Sequence, residues 1–372
     1  MSHESLINDD WLAVVERLGG AAALDEGARA TKAFQRPRAI ASATDLLRLV
    51  LAYCLGKGGL RSTALWAAAT GLADLSNVSV LYRLRQCGDW LTLLVGQALA
   101  ASTPAAGRGR LIRIVDATAV PKAGAGARRG NGVWRIHSAF DLPRERFGFF
   151  ELTDQREAEA LDRIPVVPGE IRLADRAYLK PARLAAVCAA GADVVVRTGW
   201  KSTCWFDAEG RKLDLIALHR TTQGDLIDRP IRLAYGKKGL AMRLIGLRKS
   251  PEAAEAARAK ARRAAQREGS TISQATLVAA EWVLLVTSLC AETVPAPEIL
   301  DLYRLRWRIE LAFKRLKSLV GLQGPPGTDA RSARPYVLAH LLAILLLEPL
   351  AEAFEDSPRW TRPGSASTPL AA

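Results

Sequence analysis

Tyr303, Arg306, Glu310, Lys314 and Lys317 recur at steps of three and four along LYRLRWRIELAFKRLKSLV (302–320), a segment without Gly or Pro. Its Leu, Arg, Lys and Glu content predicts a helix. At roughly 100° per residue the five side chains share one side. Leu305, Ile309, Ala312, Leu316 and Leu319 share the other, the apolar stripe with which a surface helix docks on a core. Two readings of the polar row stand. Glu310 can hold a metal ion while the cations beside it grip a phosphate backbone, or the row is a solvated face with Glu310 and Lys314 paired at i,i+4.

Two further carboxylates follow short apolar runs: Asp116 after LIRIV (111–115) and Asp175 after IRLA (171–174). Either is also an ordinary residue for a strand end. Leu111–Val115, Val133–Asp141 and Phe147–Thr153 read as three antiparallel strands. Ile171–Ala174, Pro181–Ala190 and Asp193–Arg197 then read as strand, helix, strand. That order is the one of a ribonuclease-H-type mixed sheet, in which the first and fourth strands lie side by side. Asp116 and Asp175 would then meet, which is costly unless a cation neutralises them. Glu310, on a helix across the sheet, would be the third ligand. Three oxygen ligands with open positions suit Mg²⁺, and Mn²⁺ is expected to substitute. Two such ions about 4 Å apart activate an attacking water or 3′-hydroxyl and stabilise the leaving oxygen. The chemistry is phosphodiester cleavage and strand transfer.

The elements that must position these groups give an α/β chain with α+β character: a ribonuclease-H-like catalytic core, a β-rich insertion and flanking helical segments. The expected boundaries are a helical region at 1–105, the first part of the core at 106–200 and the insertion with a basic helix at 201–275. The second part of the core follows at 276–330, then a C-terminal helix and tail at 331–372. In the helical region Leu12–Leu18, Thr44–Leu55, Leu60–Thr70 and Val78–Gln86 are periodic, and a Gly71 turn with Ser76 as N-cap fits the outline of a helix-turn-helix pair; the signal is weak, and plain helical packing is the commoner explanation. Residues 102–109 read as a linker and 121–132 as a glycine-rich basic loop. The insertion shows β runs at Leu213–Leu218, Pro230–Tyr235 and Arg243–Leu247 and an Ala-rich basic helix at Glu252–Glu268. Glu281–Leu289 returns to strand, Pro297–Leu302 leads into the Tyr303 helix, and GPPG (324–327) stops it. Tyr336–Glu355 reads as a core helix and the tail from Ser357 as disordered.

The chain has 372 residues, 49% of them apolar, and a formal net charge of +14 from 52 Lys and Arg against 38 Asp and Glu. A basic excess of this size predicts a polyanionic partner, nucleic acid before membrane surface. No apolar run is long enough for a transmembrane helix, and the acidic start MSHESLINDDW excludes a secretory signal. The expected location is the cytoplasm, at the nucleoid when bound to DNA. Five scattered cysteines and four isolated histidines spell neither a zinc site nor a Ser-His-Asp triad.

With these residues in place, the chain resembles the bacterial insertion-sequence transposases of the DDE type. Tyr303-x2-Arg306-x3-Glu310-x6-Lys317 matches their YREK signature. Asp116 in IVDAT, Trp134–His137 in WRIHSAFDL, Asp175 in ADRAY and Trp282 in EWVLLVTSL match further motifs in the same order, over most of the chain. The resemblance implies a cut-and-paste enzyme with Asp116, Asp175 and Glu310 as metal ligands, two ions per site, and Tyr303, Arg306 and Lys317 on the phosphates of the transposon end. Trp282 looks like the residue that helps relatives hold a flipped base, although a strand Trp in a core reads the same. Lys314 and Arg176 are further DNA contacts on this view, and His137 reads as structural. The resemblance also implies a homodimer on double-stranded DNA, at element ends and target, with residues 1–105 recognising the terminal inverted repeats. Two motifs depart from the pattern: DAT, where Gly or Thr often follows the Asp, and DRAY, where Gly is common before the Tyr. Both are small changes to Ala that should leave the carboxylates in place. A transposase-derived DNA-binding regulator that no longer cuts is the alternative; a metal nuclease of other structured nucleic acid is a third.

Overall fold

The computed structural model describes residues 7–8, 10–56, 58–101, 110–122, 132–144, 146–319, 324–326 and 329–355. The chain divides into two compact units, one of residues 1–104, 120–132 and 314–372, the other of residues 105–119 and 133–313. The expected linker at 102–109, most of the glycine-rich loop at 121–132 and the tail from Ser357 lie outside the described residues.

The first unit is helical. Helices α1 (Trp11–Arg17), α2 (Gly20–Ala30), α3 (Ala43–Leu55), α4 (Leu60–Ala69), α5 (Asn77–Gln86) and α6 (Gly88–Ala101) precede the sheet, and α13 (Ala330–Glu355) returns near the C-terminus. Helix α13 packs with α3, α5 and α6. Leu46, Leu47, Trp90, Val337, Leu341 and Leu342 are fully buried, and Arg17 ties α1 to the Leu346 carbonyl at 2.8 Å. The helix starts are capped as their residue types require: Ser42 accepts from the Asp45 N–H, and Ser76 from the Ser79 N–H. Gly71 takes a positive φ of 70° in the α4–α5 turn, a conformation that costs glycine nothing.

The second unit is built on a mixed sheet of nine strands among the described residues, in the order β3-β2-β1-β4-β5-β9-β8-β7-β6. The strands are β1 (Ile112–Pro121), β2 (Val133–Asp141), β3 (Arg146–Asp154), β4 (Ile171–Ala174), β5 (Asp193–Thr198), β6 (Trp205–Phe206), β7 (Leu226–Leu233), β8 (Leu240–Arg248) and β9 (Trp282–Thr287). Strands β1, β4 and β5 are parallel, with β4 and β5 joined through α7 (Pro181–Ala189); β2 and β3 are antiparallel. This is the ribonuclease-H-like arrangement. The insertion is not a separate layer: β9 pairs with β5, and β8, β7 and β6 extend the same sheet. Helices α8 (Leu215–Thr221), α9 (Pro251–Arg267) and α10 (Gln274–Ala280) accompany it, and α11 (Ala296–Arg304) and α12 (Trp307–Leu319) follow β9.

Burial of β4 is complete, and it includes a charge. Arg172 is fully buried, 2.6 Å from Glu170 and 2.7 Å from the Pro165 carbonyl. Arg113 bridges Glu170 at 3.2 Å and Asp141 at 2.8 Å. Gly148 is required beside this network, because a Cβ there would meet the Asp141 carboxylate oxygens at 2.6 and 2.7 Å.

Four local expectations need correction. Leu213–Leu218 is not a strand but the start of α8, since Asp214 caps it by accepting from Ile216 and Ala217 at 2.8 and 3.1 Å. Asp116 does not end its strand: β1 continues to Pro121 because it keeps β2 as a neighbour after β4 has stopped. Strand β7 begins at Leu226, ahead of Pro230; this proline is tolerated because β6 pairs with β7 only at Leu233 and Arg232. The Tyr303 helix is two helices, with Leu305 and Arg306 at a tight junction where both N–H groups bond three residues back. Leu305 is consequently 37% exposed and leaves the apolar stripe, whereas Ile309 and Ala312 remain buried.

Candidate active site

The ladder between β1 and β4 ends with Val115 opposite Ala174. The next residue on each strand is an aspartate, so the parallel register sets Asp116 and Asp175 side by side at the carboxyl end of β4. Asp116 accepts from the Ala117 N–H at 2.8 Å. Asp175 accepts from the Ala177 N–H at 2.8 Å and caps the short turn Arg176–Tyr178. Burial pushes the Asp116 carboxyl up to about 6 against the pull of the Ala117 N–H and Arg306, and the negative charges of Asp175 and Glu159 add to the rise. Burial also raises Glu159, with Arg135 opposing and Asp175 reinforcing, and the buried Tyr178 hydroxyl is raised by burial and by the nearby carboxylates. The raised proton affinity of the Asp116 and Glu159 carboxyls marks a place where a hard divalent cation would relieve the desolvated negative charge.

Glu310 stands one arginine away. Phe313 meets Phe147 at 5.7 Å between ring centres, and with Ile309 and Ala312 buried this holds the start of α12 on the core. Arg306 donates to Glu310 at 2.7 Å and reaches to 3.6 Å from Asp116. Burial works against the Arg306 charge, but Glu310, Tyr303 and Asp116 outweigh it and its affinity for the proton is raised. Among the described residues no three His, Cys, Asp or Glu side chains are gathered closely enough to hold a metal ion. In this conformation a guanidinium supplies the positive charge between Asp116 and Glu310. Asp116 and Asp175 present two adjacent hard oxygen donors of the kind a divalent ion takes, while Glu310 is engaged by Arg306.

Beside Asp175 lies a cavity of about 420 Å³. Four DNA-contact candidates from the sequence, Arg176, Trp282, Tyr303 and Arg306, line it. Tyr303 is mostly buried and its hydroxyl is pushed up to about 12 by desolvation, with Arg306 and Arg197 pulling the other way, so it stays protonated. Gly199 lets Arg176 cross the loop after β5, since a Cβ there would meet the Arg176 side chain at 3.2 Å. Trp282 is 4% exposed. Lys314 is exposed and belongs to the helical unit; the side chain of Lys317 lies outside the described residues. His137 is buried in β2 and bonded to Thr153 at 2.8 Å, so it is spent within the sheet.

The structure adds Arg197, Trp200 and Lys249 to the lining. Arg197 and Trp200 had a signal, since they sit where a core strand runs out (DVVVRTGWK), and ligands of open α/β sheets bind beyond the carboxyl ends of strands. Lys249 had none, because it follows the end of β8, which the sequence places far from Asp175.

Paired aspartates at a ribonuclease-H-like switch point, beside a cationic cavity walled by aromatics, fit the DDE class of nucleic-acid-cutting enzymes. Residues 107–346 match the transposase DDE domain family, and the chain belongs to that family. It is 36% identical over 360 residues to the putative transposase InsL for insertion sequence element IS186A of Escherichia coli strain K12, covering 94% of this chain and 96% of that protein. It is 37% identical over 363 residues to the transposase for insertion sequence element IS421 of Escherichia coli, with 94% and 96% covered.

Proposed function

We propose that this chain cuts its insertion sequence at the terminal inverted repeats and joins the freed 3′ ends to target DNA, as a homodimer and with Mg²⁺ or Mn²⁺, two ions per site. The observation that carries the reading is the register of β1 and β4, which makes Asp116 and Asp175 neighbours with Glu310 held nearby by Arg306. Asp116, Asp175 and Glu310 are the groups that would hold the ions. Bound there, the metal supplies Lewis acidity toward the scissile phosphate and lowers the pKa of the attacking water.

The chain's own residues do the rest. Arg306, once released from the acids, turns its planar fork of donors to a phosphate, with Arg176, Arg197 and Lys249 around the same cavity. Tyr303 donates its proton-bearing hydroxyl to a phosphate oxygen. Trp282 offers the wall on which an unstacked base rests. Residues 1–105 read the element end through the α4–α5 pair, and residues 201–275 complete the core sheet and the cavity.

The test is purified protein on DNA bearing the ends of its own genomic element, with Mg²⁺ or with EDTA. Cleavage at the element boundary with Mg²⁺, lost in Glu310→Gln, supports the reading. Tight end binding without cleavage by wild type overturns it in favour of the regulator.

A further inference from the structure

The insertion contributes two residues packed on Trp282, His219 and Arg248, that the proposed chemistry leaves unused. His219, on α8, is 2% exposed. Its ring lies parallel to that of Trp282, with 12° between planes and 5.2 Å between centres. Arg248 is the register partner of Trp282, its guanidinium carbon 4.8 Å from the indole centre. It is anchored in turn to the Thr222 carbonyl at the end of α8, at 2.8 Å. Neither nitrogen of His219 meets a hydrogen-bonding partner. Burial pushes this imidazole down to about 4, and Arg248 adds to the push, so the ring is neutral where the enzyme works.

A neutral imidazole without polar partners is an expensive way to fill a core, because its two nitrogens lose water and gain nothing. Leucine fills comparable space without that loss. What leucine lacks is a flat face, and the face is the part of His219 that is used: it stacks on the one indole that lines both this cluster and the cavity next to Asp175. We infer that His219 is the positioning residue of Trp282, a flat mount on the insertion that fixes the plane of the indole as the cavity's aromatic wall. The inference rests on the proposal that the cavity receives an unstacked base. It gives the insertion a part in the site, in which α8 and β8 contact the tryptophan while β5 and the Tyr303 segment supply charge to the cavity.

The experiment uses the full chain and a duplex carrying the element end, with 2-aminopurine replacing each of the terminal bases in turn. Wild type should change the probe's fluorescence at one position; no change at any position overturns the cavity reading and this inference with it. His219→Leu should bind the end within about twofold of wild type by anisotropy yet lose roughly two- to tenfold in the equilibrium for base insertion, the factor one ring-stacking contact is worth. His219→Phe should restore it. Leucine performing as well as wild type would overturn the inference alone, leaving a cavity that works without a mount. A second measurement needs no variant. In protein labelled at its four histidines, the His219 ring protons should be shifted by the indole ring current, free and bound to the end. Their return to ordinary positions on DNA binding would mean that the indole leaves its mount, and would overturn the inference.

Discussion

Arg306 donates to Glu310 across 2.7 Å while lying 3.6 Å from Asp116, so one guanidinium holds two of the three acids. Under the proposed function, metal and arginine would compete for the same carboxylates, and a phosphate would compete with the carboxylates for the arginine. Linkage requires the two effects to be reciprocal: DNA that draws Arg306 away must tighten metal binding, and metal must tighten end binding.

Arg306→Gln should raise the affinity of the DNA-free protein for Mn²⁺ by about two- to fivefold, the worth of a partly exposed ion pair. It should also weaken end binding and reduce its salt dependence. Electron paramagnetic resonance of free Mn²⁺ measures the first effect, and anisotropy at several salt concentrations the second. Unchanged Mn²⁺ affinity would mean that the ion pair does not guard the site.

Asp116→Asn should abolish cleavage, by more than about a hundredfold, and leave end binding intact. It should also stabilise the metal-free chain. The folded carboxyl titrates near 6, raised by burial above its ordinary value of 3.8. Its contribution to stability is thus full below the unfolded value and is lost as pH rises through the folded one. At pH 7 the asparagine variant should be more stable in EDTA by about 1–2 kcal/mol, as read by urea unfolding.

His137 titrates with the opposite sign. Burial, with Arg163 and Arg135 nearby, pushes it down to about 4 from 6.5. A depressed histidine contributes stability above its unfolded value that is lost as pH falls toward the folded one. The metal-free protein should weaken from pH 6.5 to 4, and His137→Gln, which keeps a side chain able to bond Thr153, should flatten that limb in urea titrations. An unaltered limb would assign the acid sensitivity elsewhere.

Glu170→Gln should cost about 3–5 kcal/mol, because it leaves Arg172 fully buried without its counter-charge. Gly148→Ala should destabilise by about 1–3 kcal/mol by overpacking, since the Asp141 carboxylate that it would strike is held by Arg113. Denaturant midpoints measure both. A loss of cleavage without a loss of stability would place these residues in the chemistry instead.

Much of this protein is local and therefore legible in its residues. Strand β4 begins and ends where IRLA does. Helix α9 starts at Pro251 behind the Ser250 cap, one residue before the expected Glu252. The spacing of Tyr303, Arg306, Glu310 and Lys317, together with the motifs around Asp116, Trp134–His137, Asp175 and Trp282 in their order, carries the family resemblance. These features depend on neighbours a few residues apart, where periodicity, caps and turn residues act.

What only the tertiary structure decided depends on partners far along the chain. Register between β1 and β4 makes neighbours of two aspartates that the sequence keeps well apart. A tight junction at Leu305–Arg306 breaks a helix that propensity would continue, and long-range attraction to Asp116 helps to hold Arg306 there. Likewise Lys249 enters the cavity and His219 meets Trp282 only because β8 and β9 pair and α8 folds back over them. Backbone propensity acts within a turn or two of chain, whereas these placements are set by burial and pairing between distant segments. The spacing of the acids is written in the sequence; which charge they face before metal and DNA arrive is set by packing.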